Sequence, residues 1–517
     1  MSNSLLSQII EYINNSKFHE SEQLAWELYN KNKTDFNVIK TLALTLLLQN
    51  KYNGSLDFYL KAEKINSNDF DVINNIAHLY LKIEEFEKSF IYANSAHKLK
   101  EEAYQPFITL LELYLRKRDY EIAYTYTDKI LKRIKFEQLI KIPNVIYIIL
   151  DTYFALFKKD EALQFINYAN KKAFNPEIFY YHSTFSPETI SDEFINAGKK
   201  ILEFDGYKNH IEKGKTVGPI LFGLAKYYEN KKDIETSDKY YLSSNKEISI
   251  IQRYQPLLNQ KLIHRIKEIF SDKENLKYKR KSGEGLVFIV GMPRSGTTLI
   301  ESIVASASNS ISGGELVSFY DLIKASFEKD EDAVLHEDPG SIYENRIKFI
   351  RQDNKIFIDK LPGNYTSMGY IAHIFPKAKI IYVKRDPWDN AISLFKQFYV
   401  SNIPYASTFF NIAVIYANHE EFIRYWHDNM KIDFLTIEYE ELVKNTSKMA
   451  EIIFKYCNID HTYNPEKRKN FFARTASKNQ VNKDVHTSSI GKKSFESHKL
   501  EFYKSLENQR KYWINSK

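Results

Sequence analysis

Cysteine is almost missing from the chain. Cys457 is the single cysteine among 517 residues. One cysteine cannot close an intramolecular disulfide, so a disulfide-stapled secreted scaffold is excluded. A Cys/His cluster of the kind that holds zinc is also excluded, and we expect chemistry without a metal.

The sequence also lacks a long apolar run and a secretion signal. Its most apolar stretch, 142–157, contains Asn144 and Asp151 and is too short to cross a bilayer comfortably. The opening residues have neither a basic start nor a small-residue cleavage site; they read MSNSLLSQIIEYINNSK. We therefore expect a cytoplasmic protein without a membrane span.

The excess of positive charge is small, at +7. That bias suits an anionic substrate but is too weak to indicate a nucleic-acid partner. Hydrophobic residues make up 43% and charged residues 27%, as in soluble globular proteins. The length allows two or three domains.

The first half of the chain repeats with a period of 34 residues. Small and aromatic residues recur at that spacing: Ala43, Leu46, Ser55, Tyr59 and Ala62 are followed by Ala77, Tyr80, Ser89, Ala93 and Ala96. Small residues where two helices cross, with large apolar ones between, are typical of tetratricopeptide (TPR) repeats. The pattern returns at 224–228 and 237–241.

Such repeats stack into a curved solenoid, because one pair cannot bury its apolar face alone. The solenoid could dock a peptide or protein partner, self-associate with a second copy, or only scaffold the rest of the chain. A polar linker, 271–284, follows the repeats and reads SDKENLKYKRKSGE. The predicted organisation is a helical domain over 1–270, this linker, and a second domain over 285–517.

The second domain opens with a strand, a glycine loop and a helix start. Residues 285–302 read GLVFIVGMPRSGTTLIES. Backbone N–H groups of such a loop and the dipole of the following helix favour a phosphate-like anion. The candidate anion-binding residues are Pro293, Arg294, Ser295, Gly296, Thr297 and Thr298.

This loop differs from that of nucleoside triphosphatases. Their pattern, G-x-x-x-x-G-K-[ST], has a lysine where this chain has Thr297. The cation comes earlier, at Arg294. A P-loop kinase remains an alternative function, although the missing lysine argues against it.

Two further strand ends carry cations. Arg385 follows the apolar run 380–383, and Ser393 lies two turns into the next predicted helix. An arginine fork and a hydroxyl can converge on one phosphate. Lys360 follows another short apolar run, 356–358. Ligands of open α/β sheets bind at the carboxyl ends of strands, so these groups are expected to meet.

Together these motifs resemble sulfotransferases that use 3′-phosphoadenosine-5′-phosphosulfate (PAPS). The loop PRSGTTL, followed by GGE at 313–315, is similar to tyrosylprotein sulfotransferases and to bacterial sulfotransferases with TPR repeats. The resemblance covers roughly 285–495. It implies an α-helical TPR solenoid followed by an α/β P-loop-like sulfotransferase domain, with a parallel sheet flanked by helices.

The resemblance also implies residue roles. Arg385 and Ser393 match the pair that holds the 3′-phosphate of the nucleotide. Glu315 matches the catalytic base, although a carboxylate that merely favours a helix start is the structural alternative. Lys360, Arg294 and Ser477 match groups near the transferred sulfuryl group.

The C-terminal segment resembles the family less closely. Gly491 and Lys492 match a region that touches the 3′-phosphate. Asn482 replaces a usual arginine and Lys493 a usual tryptophan, so the sequence departs from the family pattern at the C-terminal nucleotide contacts.

The predicted function is PAPS-dependent sulfuryl transfer, without a metal, to a hydroxyl or amine acceptor such as a protein tyrosine or a saccharide. Acceptor contacts are expected in loops such as 320–350 and 399–420, which carry no recognisable motif. A non-catalytic TPR scaffold with a degenerate transferase domain is the second alternative.

Overall fold

The computed structural model describes the chain except for a few single residues and short segments. Those outside the description are Met1, Ser16, 140–141, Ala173, Lys208, Arg253, 272–275, Lys277, 328–335, 353–354, 400–402, 473–483, His486 and Lys517. Ser477 and Asn482 therefore lie outside the described residues. Among the described residues, no helix has both the length and the apolarity that a membrane crossing requires.

The first part of the chain is helical. Helices α1 to α16 span Ser2–Asn14, Phe18–Lys31, Phe36–Leu48, Tyr52–Ile65, Phe70–Lys82, Phe86–Leu99, Gln105–Arg116, Tyr120–Arg133, Phe136–Leu139, Pro143–Ala155, Lys159–Lys172, Pro176–Phe185, Asp192–Leu202, His210–Asn230, Ile234–Ile251 and Pro256–Ser271. Helices α2, α4, α6 and α8 each begin with an aromatic residue, and their starts lie 34 residues apart. The repeat period read from the sequence is thus the period of the helical hairpins.

One hydrogen bond recurs within these hairpins. The hydroxyl of Ser55 donates to the carbonyl of Ala43, and that of Ser89 to Ala77, each at 2.8 Å. Ser237 donates to the Ala225 carbonyl at 2.9 Å. Small residues let the two helices approach closely enough for this contact, as the TPR pattern requires. The helical region is a TPR-type solenoid, as predicted.

The second part is an α/β domain built on a parallel sheet. Strands β1 to β5 span Leu286–Gly291, Ser310–Gly314, Ile356–Asp359, Lys379–Lys384 and Leu435–Glu438. Their order in the sheet is β2-β3-β1-β4-β5, and every pair is parallel. All five carboxyl ends therefore lie at one edge, which confirms the fold class predicted from the sequence.

Further helices alternate with these strands along the chain. Helices α17 to α26 span Thr297–Val304, Ser318–Ile323, Pro339–Arg351, Met368–Ile374, Pro387–Phe395, Phe409–Arg424, Tyr439–Lys444, Thr446–Tyr456, Pro465–Lys469 and Glu496–Asn515. Isoleucines of β1, β3 and β4 are buried against α17 and α24. Acceptor loops are expected at 320–350 and 399–420. In the described residues of these ranges, much of the chain is helical, because α19 and α22 occupy it.

The described residues form two compact units. One comprises 1–156 with 317–352, and the other comprises 157–316 with 353–517. In the first unit, helices α1 to α5 share a continuous apolar core that includes Leu42, Tyr59 and Ile76.

The second unit contains helices α11 to α16 together with the sheet. Phe222 and Tyr241, from α14 and α15, pack in one apolar cluster with Trp388, Phe395 and Phe495. The predicted domain boundary at 271–284 remains a prediction.

Candidate functional site

The loop after β1 has the backbone shape of an anion-binding turn. Gly291 has φ +153°, and a Cβ there would lie 2.6 Å from the carbonyl oxygen of Val383. Gly296 has φ +109°, and a Cβ there would lie 2.3 Å from the Tyr439 ring. Only glycine fits at either position. The loop leads directly into α17, whose first residues are Thr297 and Thr298.

Arg294 lies in this loop in a left-handed conformation, with φ +67°. Its side chain is buried, and its Nε donates to the Ser393 hydroxyl at 3.3 Å. The neighbouring Pro293 carbonyl accepts from the Asn390 amide at 3.0 Å. Both partners come from α21, so that helix fixes the loop from one side.

Arg385 follows β4 and is 5% exposed. Its Nη1 donates to the carbonyl of Arg294 and its Nη2 to the carbonyl of Ser489, each at 2.7 Å. The guanidinium lies 4.4 Å from the Tyr439 ring centroid. The structure therefore brings Arg294, from the first loop, together with Arg385 and Ser393, which belong to a second motif.

This cluster has the properties of an anion site. Burial lowers the pKa of Arg294, and the adjacent Arg385 lowers it further. Two buried cations side by side are unfavourable unless an anion compensates them. The Nε of Arg385 and the hydroxyl of Ser295 are both buried and have no hydrogen-bond partner among the described residues. A phosphate-sized group would satisfy such donors.

A second cluster lies at the ends of β2 and β3. Lys360 is fully buried, and its Nζ is 2.5 Å from Oε1 of Glu315 and 3.6 Å from Oε2 of Glu301. The Glu315 side chain is 41% exposed, whereas that of Glu301 is 1% exposed. The cation is thus held between an inner carboxylate and one that solvent or a substrate can reach.

Glu301 is in turn fixed by the strand next to it. The Ser312 hydroxyl donates to Glu301 Oε1 at 2.5 Å and accepts from the backbone N–H of Gly314 at 2.9 Å. The backbone N–H of Lys360 donates to the carbonyl of Gly314 at 2.9 Å. The Gly-Gly turn before Glu315 therefore lies directly against Lys360.

The C-terminal segment over 489–495, called the 489–495 segment below, contacts the same region. Asp389 accepts the backbone N–H of Gly491 at 2.7 Å and that of Lys492 at 3.0 Å. Ser489 Oγ is 2.8 Å from the Tyr439 hydroxyl. Burial lowers the pKa of Lys492 to about 7, with Arg385 as the next largest cause.

Sequence reasoning misses several residues at these clusters. Glu301 lies within an apolar helical pattern, where a carboxylate between isoleucines is the signal that could have found it. Tyr439 lies in the segment 433–443, DFLTIEYEELV, whose sequence predicts a strand followed by a helix start with a structural role, yet its ring lies against Arg385. Asp389 is assigned no role from the sequence, because its contacts are with a segment about a hundred positions later.

The domain that holds these clusters matches a known family. Residues 287–463 match the model of the sulfotransferase family. The chain carries a sulfotransferase-family domain. Arg294, Glu315, Lys360 and Arg385 all lie within the matched range of that domain.

A curated relative comes from Aquifex aeolicus (strain VF5) and bears the name "Uncharacterized protein". It is 26% identical over an alignment of 295 residues, and the match covers 52% of this chain and 39% of that protein. This chain thus matches well under two thirds of the length of that relative.

Similar solved structures exist for both parts of the chain. The sulfotransferase domain of the Synechococcus PCC 7002 olefin synthase is 17% identical, with a TM-score of 0.33 over 45% of this chain and 96% of that one. A sulfotransferase domain from the curacin biosynthetic pathway is 18% identical, with a TM-score of 0.28 over 37% and 79%. A thermophilic TPR protein of Thermus thermophilus is 13% identical, with a TM-score of 0.30 over 34% and 92%. All three scores are low, so the sulfotransferase-family domain is assigned on the family match alone.

Proposed function

We propose that the protein transfers a sulfuryl group from PAPS to a hydroxyl or amine acceptor. The observation that carries the proposal is the contact of buried Arg294 with Ser393 and Arg385, where Nε of Arg385 and the hydroxyl of Ser295 have no hydrogen-bond partner among the described residues. The Lys360–Glu315 pair lies at the end of the neighbouring strand β3. A doubly phosphorylated nucleotide needs several cations at one sheet edge, and this edge supplies them.

The proposal assigns the nucleotide to the arginine cluster. Arg385 and Ser393 hold the 3′-phosphate, and Gly491 and Lys492 close over it. The 293–298 loop and Arg294 hold the phosphosulfate end through backbone N–H groups and charge. Ser477 is proposed beside the sulfuryl group on the motif alone.

Glu315 is proposed as the general base. When bound, PAPS supplies a sulfuryl group that carries negative charge on its peripheral and leaving oxygens as it moves, so positioning and charge stabilisation dominate. The exposed carboxylate of Glu315 takes the proton that the acceptor hydroxyl loses. Lys360, balanced by Glu301, presents a positive charge next to that carboxylate.

Loss of one donor that stabilises charge on the transferred group typically slows an enzyme by roughly 100- to 1,000-fold.

The acceptor is proposed to be a protein tyrosine or a saccharide. The TPR helices are proposed to dock a peptide, a protein partner or a second copy. We also propose a cytoplasmic protein whose helical domain ends near the 271–284 linker.

A ligand comparison tests the function. Thermal unfolding of the full chain is measured with 3′-phosphoadenosine-5′-phosphate (PAP), with ATP–magnesium, and without ligand. Stabilisation by PAP supports the proposal, because only ligands that bind the native state raise the midpoint. Stabilisation by ATP–magnesium alone would indicate a kinase, and no response to either would indicate a scaffold. A screen of acceptors with labelled PAPS then identifies the acceptor class.

A further inference from the structure

The helical hairpin formed by α14 and α15 contacts the 489–495 segment directly. Asp238, on α15, accepts the backbone N–H of Phe495 through its Oδ2 at 3.0 Å. Phe495 has φ +57° and is 5% exposed. Its ring packs 6.3 Å from that of Tyr241, one turn further along the same helix. A residue in this strained conformation persists only when its surroundings hold it there.

A charged link joins the same hairpin to the same segment. Lys396 is buried, and its Nζ donates to the Ser494 hydroxyl at 2.8 Å and to Glu229 Oε1 at 3.0 Å. The other oxygen of Glu229, on α14, accepts from the Tyr241 hydroxyl at 2.9 Å and lies 3.3 Å from Nζ of Lys226. Glu229 thus fixes Lys396, and Lys396 in turn binds Ser494.

The opposite end of the segment is fixed by the transferase side. Arg385 binds the Ser489 carbonyl, and Asp389 binds the N–H groups of Gly491 and Lys492. Between these anchors and those on the hairpin lies Lys492, whose pKa is lowered by burial and then by the charges of Arg385, Lys396 and Arg294. The segment is therefore fixed at both ends. At the Ser494–Phe495 end, Asp238 and Glu229 lie outside the family-matched range 287–463, whereas Lys396 lies within it.

We propose that the α14–α15 hairpin is a positioning element for nucleotide binding, with Asp238 as its principal contact to the 489–495 segment. This inference rests on the proposed function, because it takes the segment to close over the 3′-phosphate. It gives the last repeat-type hairpin a role in the site rather than a scaffolding role alone.

The affinity of the full chain for PAP, measured by calorimetry, tests the inference. D238A removes the carboxylate that accepts the Phe495 N–H, so affinity is expected to fall about tenfold or more. D238N keeps an oxygen at that position and is expected to recover affinity to within about threefold of wild type.

Asp233 provides a matched control. It caps the start of α15 through the N–H of Thr236 and is exposed. D233A is the same substitution on the same hairpin and destabilises it without touching the 489–495 segment, so PAP affinity is expected to stay within about twofold. Equal losses in D233A and D238A would overturn the inference.

The remaining outcomes separate this inference from the proposed function. If wild type fails to bind PAP, both are overturned. If wild type binds PAP and D238A binds it equally well, the inference alone is overturned. Hydrogen exchange of wild type needs no variant: PAP is expected to slow exchange across 489–495, and unchanged exchange there would also overturn the inference.

Discussion

Among single residues, Glu315 has the clearest expected phenotype. E315Q keeps the shape of the side chain but cannot accept a proton, so kcat is expected to fall by about 10²- to 10⁴-fold. The affinity for PAP is expected to remain, because the arginine cluster is untouched. Sulfuryl-transfer rates and PAP calorimetry measure the two effects.

A suitable control for that variant is E466Q. Glu466 also pairs with a lysine, Lys469 at 2.9 Å, but it lies on the surface in α25. Its loss is expected to leave both kcat and PAP affinity unchanged. Wild-type turnover in E315Q would show that another group removes the proton.

Glu301 is expected to matter first for stability. Its carboxylate is 1% exposed and lies 3.6 Å from the fully buried Nζ of Lys360. E301Q keeps the contact to Ser312 but removes a charge that compensates a buried ammonium, so the free energy of unfolding should fall by about 1–3 kcal/mol. Urea unfolding of wild type and E301Q measures this change in the free energy of unfolding.

S312A is the matched control for E301Q. It removes the 2.5 Å hydrogen bond to Glu301 and leaves both charges, so a loss of about 1 kcal/mol is expected. If E301Q were as stable as wild type, Glu301 could not be the group that compensates Lys360.

Lys492 is expected to make PAP binding depend on pH. Burial lowers its pKa to about 7, from the ordinary value of 10.5. A bound phosphate favours the ammonium form, so binding takes up a proton when the free protein is above that pKa. PAP affinity should therefore decline as pH rises above about 7.

Charged groups shift the pKa of Lys492 in both directions. Its pKa is lowered, after burial, by Arg385, Lys396 and Arg294, and it is raised by Glu229. K492R keeps a charge at every accessible pH and is expected to remove this part of the pH dependence. Calorimetric titrations at several pH values compare the two proteins. Identical profiles in wild type and K492R would assign the titration elsewhere.

The same lysine also affects stability. A lysine whose pKa is depressed in the folded state is protonated more fully in the unfolded chain between about pH 7 and its ordinary 10.5. Stability therefore rises with pH through that window. Below about pH 7 both states carry the proton, and the cost of the buried charge is fully present.

The residues that could be predicted from the sequence are those whose adjacent residues form a recognisable pattern. Arg294, Lys360 and Arg385 each follow a short apolar strand, so the local pattern places them at the sheet edge. Glu301 and Asp389 could not be predicted in the same way, because their roles depend on groups that folding brings to them.

Among the elements, the segment that follows Glu315 provides a separate test. Glu84, in the turn between α5 and α6, has φ +61° and is 2% exposed. Its carboxylate accepts the backbone N–H of Val317 at 3.2 Å and that of Ser318 at 2.9 Å, where α18 begins. Glu84 thus caps the start of α18, although the two lie far apart in the chain within the same compact unit.

E84A is expected to reduce the free energy of unfolding by about 1–3 kcal/mol, because it leaves the buried N–H of Ser318 and the part-buried N–H of Val317 without that acceptor. Chemical denaturation measures the change. E87A, three residues later on the exposed face of α6, should change stability by less than about 0.5 kcal/mol. Equal effects of the two variants would contradict the capping role of Glu84.

Elements with a strong period were the easier ones to predict. The 34-residue spacing indicated the helical hairpins, and apolar runs indicated β1, β3, β4 and β5. Strand β2 was not predicted, because SISGG at 310–314 has neither an apolar run nor alternation. It is a strand because it pairs with β3, with a register shift between Ser312 and Gly314.

At the scale of the whole molecule, two fragments of the chain test whether the domain boundary lies at the predicted linker, 271–284, or near residue 157, where the second compact unit begins. A fragment over 271–517 lacks α14 and α15, whose Phe222 and Tyr241 share an apolar cluster with Phe395 and Phe495. Exposure of that cluster should make the fragment aggregate and lose PAP binding. A fragment over 157–517 keeps the cluster and the anchors of the 489–495 segment, so we expect it to bind PAP. Its residues 317–352 lose the rest of their compact unit, so its free energy of unfolding is expected to be lower than that of the full chain. If 271–517 unfolded cooperatively and bound PAP like the full chain, the helices up to 270 would be a separate domain, and the α14–α15 hairpin would be dispensable for the site.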